Sequence, residues 1–191
     1  MGLNPGVHAE DLDSCTDREL VAFLNDGDVA AFEVLYFRYR DWVVGLASRL
    51  TGDDDAALDV TQETFLYVLR KFPGFRLTAQ FKTFLYPAVR NLSIAARQKA
   101  RRTEPLDGQL ETTSSEPAAP TEQLQQENIS EILEILSTEQ REVLLLRFVD
   151  DLSLAEVASA MEIPLGTVKS RLHNALETLR QDPRTKNLFE K

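Results

Sequence analysis

The segment from Thr103 to Glu127, TEPLDGQLETTSSEPAAPTEQLQQE, constrains this chain more than any other stretch of it. It is rich in Pro, Ser, Thr and Glu, carries almost no large apolar side chains, and follows neither a helical nor a strand period. Its apolar surface is too small to offset the entropy of ordering a backbone, so the composition predicts a flexible acidic linker. Such a linker divides the 191 residues into two blocks, each of which must build its own core. In both blocks apolar residues recur at the three-and-four spacing of helices, and neither has the sustained alternation that a sheet requires. The fold class is therefore all-α: two small helical domains, 16–102 and 128–181, joined by the linker 103–127. Residues 1–15 stay unassigned, and 182–191 form a tail.

In the first block, Thr16 and Glu19 make a capping-box pattern that opens a short helix. A long helix follows from Val29 to Leu50, with Phe32, Leu35, Tyr36, Tyr39, Trp42, Val43, Leu46, Ala47 and Leu50 on one face. Asp53, Asp54 and Asp55 precede a helix whose apolar face is Ala57, Val60, Thr64, Phe65, Val68, Leu69 and Phe72, closed by Pro73 and Gly74. The three aspartates suit a helix N-terminus better than a metal site, because no other liganding residues accompany them. A last helix runs from about Ala79 to Arg102. Its periodicity places Phe81, Phe84, Leu85, Ala88, Leu92, Ala95 and Ala96 inward, and Pro87 should remove one hydrogen bond and bend it. The second block reads as a helix around Asn128 to Leu136, then two capping boxes, Ser137 with Gln140 and Ser153 with Glu156. A short helix (LAEVASAM), a turn at Glu162, Ile163 and Pro164, and a final helix to about Arg180 make a helix-turn-helix pattern.

The net charge of −10 speaks against nucleic acid until its distribution is considered. Residues 66–102 carry 9 basic and no acidic side chains, and residues 163–191 carry 6 and 3, so two cationic islands alternate with acidic stretches. In the first island Phe72, Phe75, Phe81, Phe84 and Tyr86 are interleaved with Lys71, Arg76, Lys82 and Arg90. That mixture suits a single strand, in which cations follow the backbone and rings accept unstacked bases. Because Phe81 and Phe84 fit the buried face, Phe75 and Tyr86 are the rings expected to be exposed or partly exposed. In the last helix, Val168, Leu172, Ala175, Leu176 and Leu179 share the inward arc. Gly166, Lys169, Ser170, His173, Asn174 and Glu177 face outward, with Arg171 on the flank, which suits a major groove.

Other chemistries find no support. The single cysteine, Cys15, and two separated histidines, His8 and His173, make no metal or disulfide pattern, and no catalytic set is present. No enzymatic activity and no cofactor are expected. No run approaches the ~18 apolar residues of a membrane span, and the first residues have no signal-peptide pattern, so a cytoplasmic protein without membrane insertion is expected.

The run DVAAFEVLYFRYRDWVVGLASRLTGDDDAALDVTQETFLYVLRKFPGFRLTAQFKTFLYPAVRNLSIAARQKARR resembles sigma region 2. LSTEQREVLLLRFVDDLSLAEVASAMEIPLGTVKSRLHNALETLR resembles sigma region 4. With only a linker between them, the chain resembles the extracytoplasmic-function (ECF) sigma factors over about residues 16–181, most specifically in DVTQETF, FKTFLYPAVRN and IPLGTVKSRLHNAL. The resemblance implies core RNA polymerase as partner, through the β′ clamp helices and the β flap, together with promoter DNA and an anti-sigma factor. It assigns clamp-helix binding to Asp59, Gln62, Glu63 and Leu66. Minus-10 recognition falls on the loop from Gly74 to Gln80 and the following helix, with Phe75, Arg76, Lys82, Tyr86, Arg90 and Asn91. Minus-35 recognition falls on Arg147, Thr167, Lys169, Ser170, Arg171, His173 and Asn174. Phe84 stands where many members have Trp, Pro87 where a basic residue is common, and Asn174 where Arg is frequent. The alternative, a stand-alone helix-turn-helix regulator with an N-terminal sensing or dimerisation domain, accounts for residues 137–181 but leaves the basic aromatic stripe unexplained.

Overall fold

A computed structural model of the chain describes residues 12–103, 132, 133 and 135–185. Nearly all of the linker, most of the helix expected around Asn128 to Leu136, most of segment 1–15 and the last residues of the tail lie outside this set. The described residues contain helices and connecting turns and no strand, in two compact units divided at Leu106 and Asp107.

The first unit holds α1 (Asp17–Asn25), α2 (Val29–Thr51), α3 (Asp54–Leu69) and α4 (Phe81–Thr103). Their starts are set locally. The capping box of α1 is formed, with the Thr16 N–H donating to Glu19 Oε2 at 2.7 Å and the Glu19 N–H donating back to Thr16 Oγ1 at 3.4 Å. Asp53 caps α3 by accepting the Ala56 N–H at 2.6 Å, so the aspartate run is a helix start, as the sequence suggests. Helix α2 ends at Gly52, whose φ of 72° is a left-handed conformation that costs glycine little.

Around α2 pack α1, α3 and α4, and α3 also packs on α4. The core holds Leu20, Val21 and Leu24 from α1, Leu35, Val43, Leu46 and Ala47 from α2, and Ala57, Val60, Phe65 and Val68 from α3. Tyr39 joins α2 to α1 by donating its hydroxyl to Asp17, which also pairs with Arg38 at 2.7 Å. Burial of the ring and the adjacent carboxylate raise the Tyr39 pKa well above the ordinary tyrosine value.

Helix α4 departs from the expected rotation. Its buried residues are Phe81, Thr83, Leu85, Tyr86, Val89 and Ser93, while Phe84, Ala88, Leu92 and Ala96 are half-buried and Ala95 is exposed. The buried stripe advances in steps of four from Phe81 through Leu85 and Val89 to Ser93. The serine hydroxyl and the tyrosine's polar end disguise it, and the small alanines draw the apparent apolar face to the other side. Helix α3 also ends at Leu69 rather than Phe72: Leu69 is 39% exposed, and Phe72 lies in the following loop.

The second unit holds α5 (Thr138–Phe148), α6 (Leu154–Met161) and α7 (Leu165–Gln181). Both predicted capping boxes, Ser137 with Gln140 and Ser153 with Glu156, are present. Helix α7 packs on α5 and α6 through Val168, Ala175 and Leu179. Leu136, Ala175 and Leu179 form one core cluster, against which Ile132, Leu133, Ile135 and Leu144 pack.

Candidate nucleic-acid and protein interfaces

Helix α3 has two unlike faces. Ala57, Val60, Thr61, Thr64, Phe65 and Val68 are buried, and the two threonine hydroxyls are satisfied within the helix by donating to the Ala57 and Val60 carbonyls, each at 2.8 Å. On the other face Asp59, Gln62, Glu63 and Leu66 are all exposed. Two further leucines belong to it, since Leu58, Leu66 and Leu69 are 52%, 43% and 39% exposed. Leu58, Gln62, Leu66 and Leu69 follow one another at helical spacing, so three apolar side chains run beside the two carboxylates. Isolated exposed leucines are ordinary, but an aligned row rimmed by charge has the composition of a protein interface. Sequence periodicity places Leu69 inside and gives no reason to mark Leu58. Along one flank, Asp59, Gln62 and Glu63 line an open groove of about 550 Å³ whose far wall is Leu92, Ala96, Lys99 and Ala100 of α4.

The loop between α3 and α4 and the start of α4 carry a linked set of rings. Phe75 lies 4.4 Å from Phe84 and 5.5 Å from Phe72, centre to centre, and Phe84 stacks on Tyr67 at 6.0 Å and approaches Phe81 at 5.7 Å. Cations lie beside it: Lys71 Nζ is 4.7 Å from the Tyr67 ring of this layer, and Lys82 Nζ, next to Phe81, is 5.6 Å from the ring of Trp42 in α2. Nothing in the sequence marks Tyr67 or Trp42 as part of this surface. Phe75 is half-buried, as anticipated, Arg76 and Asn91 are exposed, and Lys82 and Arg90 are half-buried. Tyr86 is the correction: expected at the surface, it is fully buried, which leaves no face of its ring for a base.

In the second unit, Glu162 closes α6 in a left-handed conformation with φ 55°, and the chain turns directly into α7 behind Pro164. Pro164 supplies no side-chain cap, the Thr167 N–H donates to the Pro164 carbonyl at 2.9 Å, and the space beside Gly166 is open. Gly166, Lys169, Ser170, His173, Asn174 and Glu177 are exposed, and Thr167 and Arg171 are half-buried. The predicted wheel therefore holds. Arg147, at the end of α5, donates to the Leu152 carbonyl at 3.3 Å and to Asp151 at 3.4 Å, which holds its guanidinium at the turn into α6.

A helix-turn-helix unit and a separate helical unit with a cationic aromatic loop define a two-part DNA-binding protein. Residues 35–103 match the sigma-70 region 2 family and residues 126–179 match sigma-70, region 4. The chain is 32% identical over 178 residues to the ECF RNA polymerase sigma-E factor of Escherichia coli K12, covering 86% of this chain and 92% of that one. It is 30% identical over 172 residues to the ECF RNA polymerase sigma factor SigW of Bacillus subtilis, covering 83% and 91%. The chain belongs to the ECF RNA polymerase sigma factors, which bind core RNA polymerase and direct transcription initiation at promoters.

Two solved structures share the fold. One is the sigma factor RpoE in complex with the anti-sigma factor NepR from Bartonella quintana, with TM-score 0.63 and 24% identity over 78% of this chain and 94% of that one. The other is CnrH in complex with the cytosolic domain of CnrY, with TM-score 0.61 and 21% identity over 85% and 93%. A stand-alone regulator is set aside, because the first block matches sigma region 2. No helix among the described residues is long and apolar enough to cross a membrane.

Proposed function

We propose that this sigma factor divides its work among three surfaces. The outward face of α3, with Asp59, Gln62, Glu63 and Leu66 and the neighbouring Leu58 and Leu69, takes the clamp helices of the polymerase β′ subunit. The loop from Gly74 to Gln80, with Phe75 and Arg76, and Lys82, Arg90 and Asn91 of α4 take the minus-10 strand. The first half of α7, with Thr167, Lys169, Ser170, Arg171, His173 and Asn174, reads the minus-35 element in the major groove, and Arg147 holds the backbone. The second unit also meets the β flap. The protein acts in the cytoplasm without catalysing a reaction, and an anti-sigma factor holds it silent, as the complex of RpoE with NepR suggests.

The observation that carries this reading is the division of α3 into a wholly buried face and an exposed one that aligns two carboxylates with three leucines. The test is capture of core polymerase by the full chain bearing both Asp59→Arg and Glu63→Arg. Reversing two charges in a matched interface costs several kcal/mol, so capture should fall by orders of magnitude while helicity is kept. Normal capture by a folded double variant would remove the assignment of α3.

A further inference from the structure

Asn25 ends α1, and its side chain reaches across 50 positions of sequence to the loop that follows α3. The Gly74 N–H donates to Asn25 Oδ1 at 2.6 Å, the Phe75 N–H donates to the same oxygen at 3.1 Å, and Asn25 Nδ2 donates to the Phe75 carbonyl at 2.8 Å. One amide thus satisfies both backbone groups of Phe75. A carboxylate of the same length offers the acceptor without the donor, and an alkyl chain offers neither.

The support beneath the amide is firm. Leu20, Val21 and Leu24 bury α1 in the core, and Asp17 at its other end is held by Arg38 and Tyr39. Gly74, with a φ of 99°, takes a left-handed conformation that glycine reaches at little cost and shares with many others, so the residue itself does little to fix the loop. The Phe75 ring rests on Phe84 at 4.4 Å and on Phe72 at 5.5 Å. The direction of the chain from Phe75 to exposed Arg76 depends on the backbone, which is where the amide acts.

We infer that Asn25 is a positioning residue for minus-10 recognition: it fixes the Gly74–Phe75 backbone and so aims Phe75 and Arg76 at the DNA strand without touching DNA itself. The inference rests on the reading of the Gly74 to Gln80 loop as the minus-10 surface. Pre-ordering a recognition loop removes an entropic cost from binding, and misplacing its contacts weakens discrimination more than attachment.

The test uses polymerase holoenzyme assembled with the full chain and a promoter library randomised at the minus-10 element, with the minus-35 element as internal reference. Asn25→Ala should lower minus-10 base discrimination about tenfold, roughly the weight of one net hydrogen bond in an equilibrium. Minus-35 preference and polymerase capture should stay unchanged. Asn25→Asp keeps the acceptor for two N–H groups and loses the donor, so it should fall between Asn25→Ala and the wild type, and it serves as the deciding variant if Asn25→Ala fails to fold. Phe75→Ala and Arg76→Ala test the underlying reading. If either changes minus-10 preference while folded Asn25 variants keep the wild-type profile, the positioning role is refuted and the loop assignment stands. If none of the four variants changes the profile, both fall. A loss of equal size at the two elements would show that Asn25 serves only the fold, and would also overturn the inference.

Discussion

Replacing Tyr86 separates two roles for one aromatic ring. A base platform would be partly exposed, and its removal would leave the domain folded while abolishing minus-10 recognition. In this fold Tyr86 is 0% exposed on α4, together with Leu85 and Val89. Truncating a fully buried aromatic to alanine costs about 3–5 kcal/mol, from lost transfer free energy and the cavity left behind. For a domain of this size each kcal/mol lowers the midpoint by about 4–8 °C, so Tyr86→Ala should lower it by at least about 12 °C. Tyr86→Phe keeps the ring and should cost only about 1 kcal/mol, the net worth of a hydroxyl's interactions. Trp42 is the single tryptophan of the chain and lies in α2, so its fluorescence reports unfolding of the first unit. The reasoning fails if Tyr86→Ala melts with the wild type and loses only minus-10 selectivity.

Two further outcomes follow from the two ends of the molecule. Lys169→Ala should change minus-35 base preference by ~1–3 kcal/mol, while Arg171→Ala, half-buried on the flank of α7, should weaken all sequences alike and flatten the salt dependence. Binding-site selection across a salt series checks both, and equal loss of specificity in the two variants would mean that α7 enters the groove by another face. At the start of α1, hydrogen bonds from the Thr16 side chain and backbone hold the Glu19 carboxyl below its ordinary pKa. Its contribution is therefore present above the unfolded-state value and is lost as pH falls through the lowered one. Glu19→Gln should remove that part of the acid sensitivity, and a pH series of Trp42-monitored unfolding that is identical for wild type and variant would refute the coupling.

Features encoded within a few residues are legible in the sequence alone. Thr16 with Glu19, Ser137 with Gln140 and Ser153 with Glu156 each form the capping box that their spacing announces, because both partners lie within one turn. The outward face of α7 is equally legible, for a related reason. Val168, Leu172, Leu176 and Leu179 gather on one arc and Lys169, His173, Asn174 and Glu177 on the other, so the wheel has one clear axis. In α4 the contrast is weaker. Alanines blur one side, Ser93 and Tyr86 carry hydroxyls on the other, and the rotation is settled by α2 and α3 packing against it.

Periodicity and composition alone thus determined that the chain is helical and divided, and its motifs identified the family and singled out the helix proposed to meet the major groove. Tertiary packing decided which of several similar side chains face the core. Leu58, Leu66 and Leu69 share a helix with buried Val60 and Val68, and only the positions of neighbouring helices separate them. It also decided the hold of Asn25 on Gly74 and Phe75, because an uncharged amide has no spacing rule for a partner 50 residues away. Hydrogen bonds between distant segments are chosen by the fold that brings them together, and they leave no periodic trace in either segment.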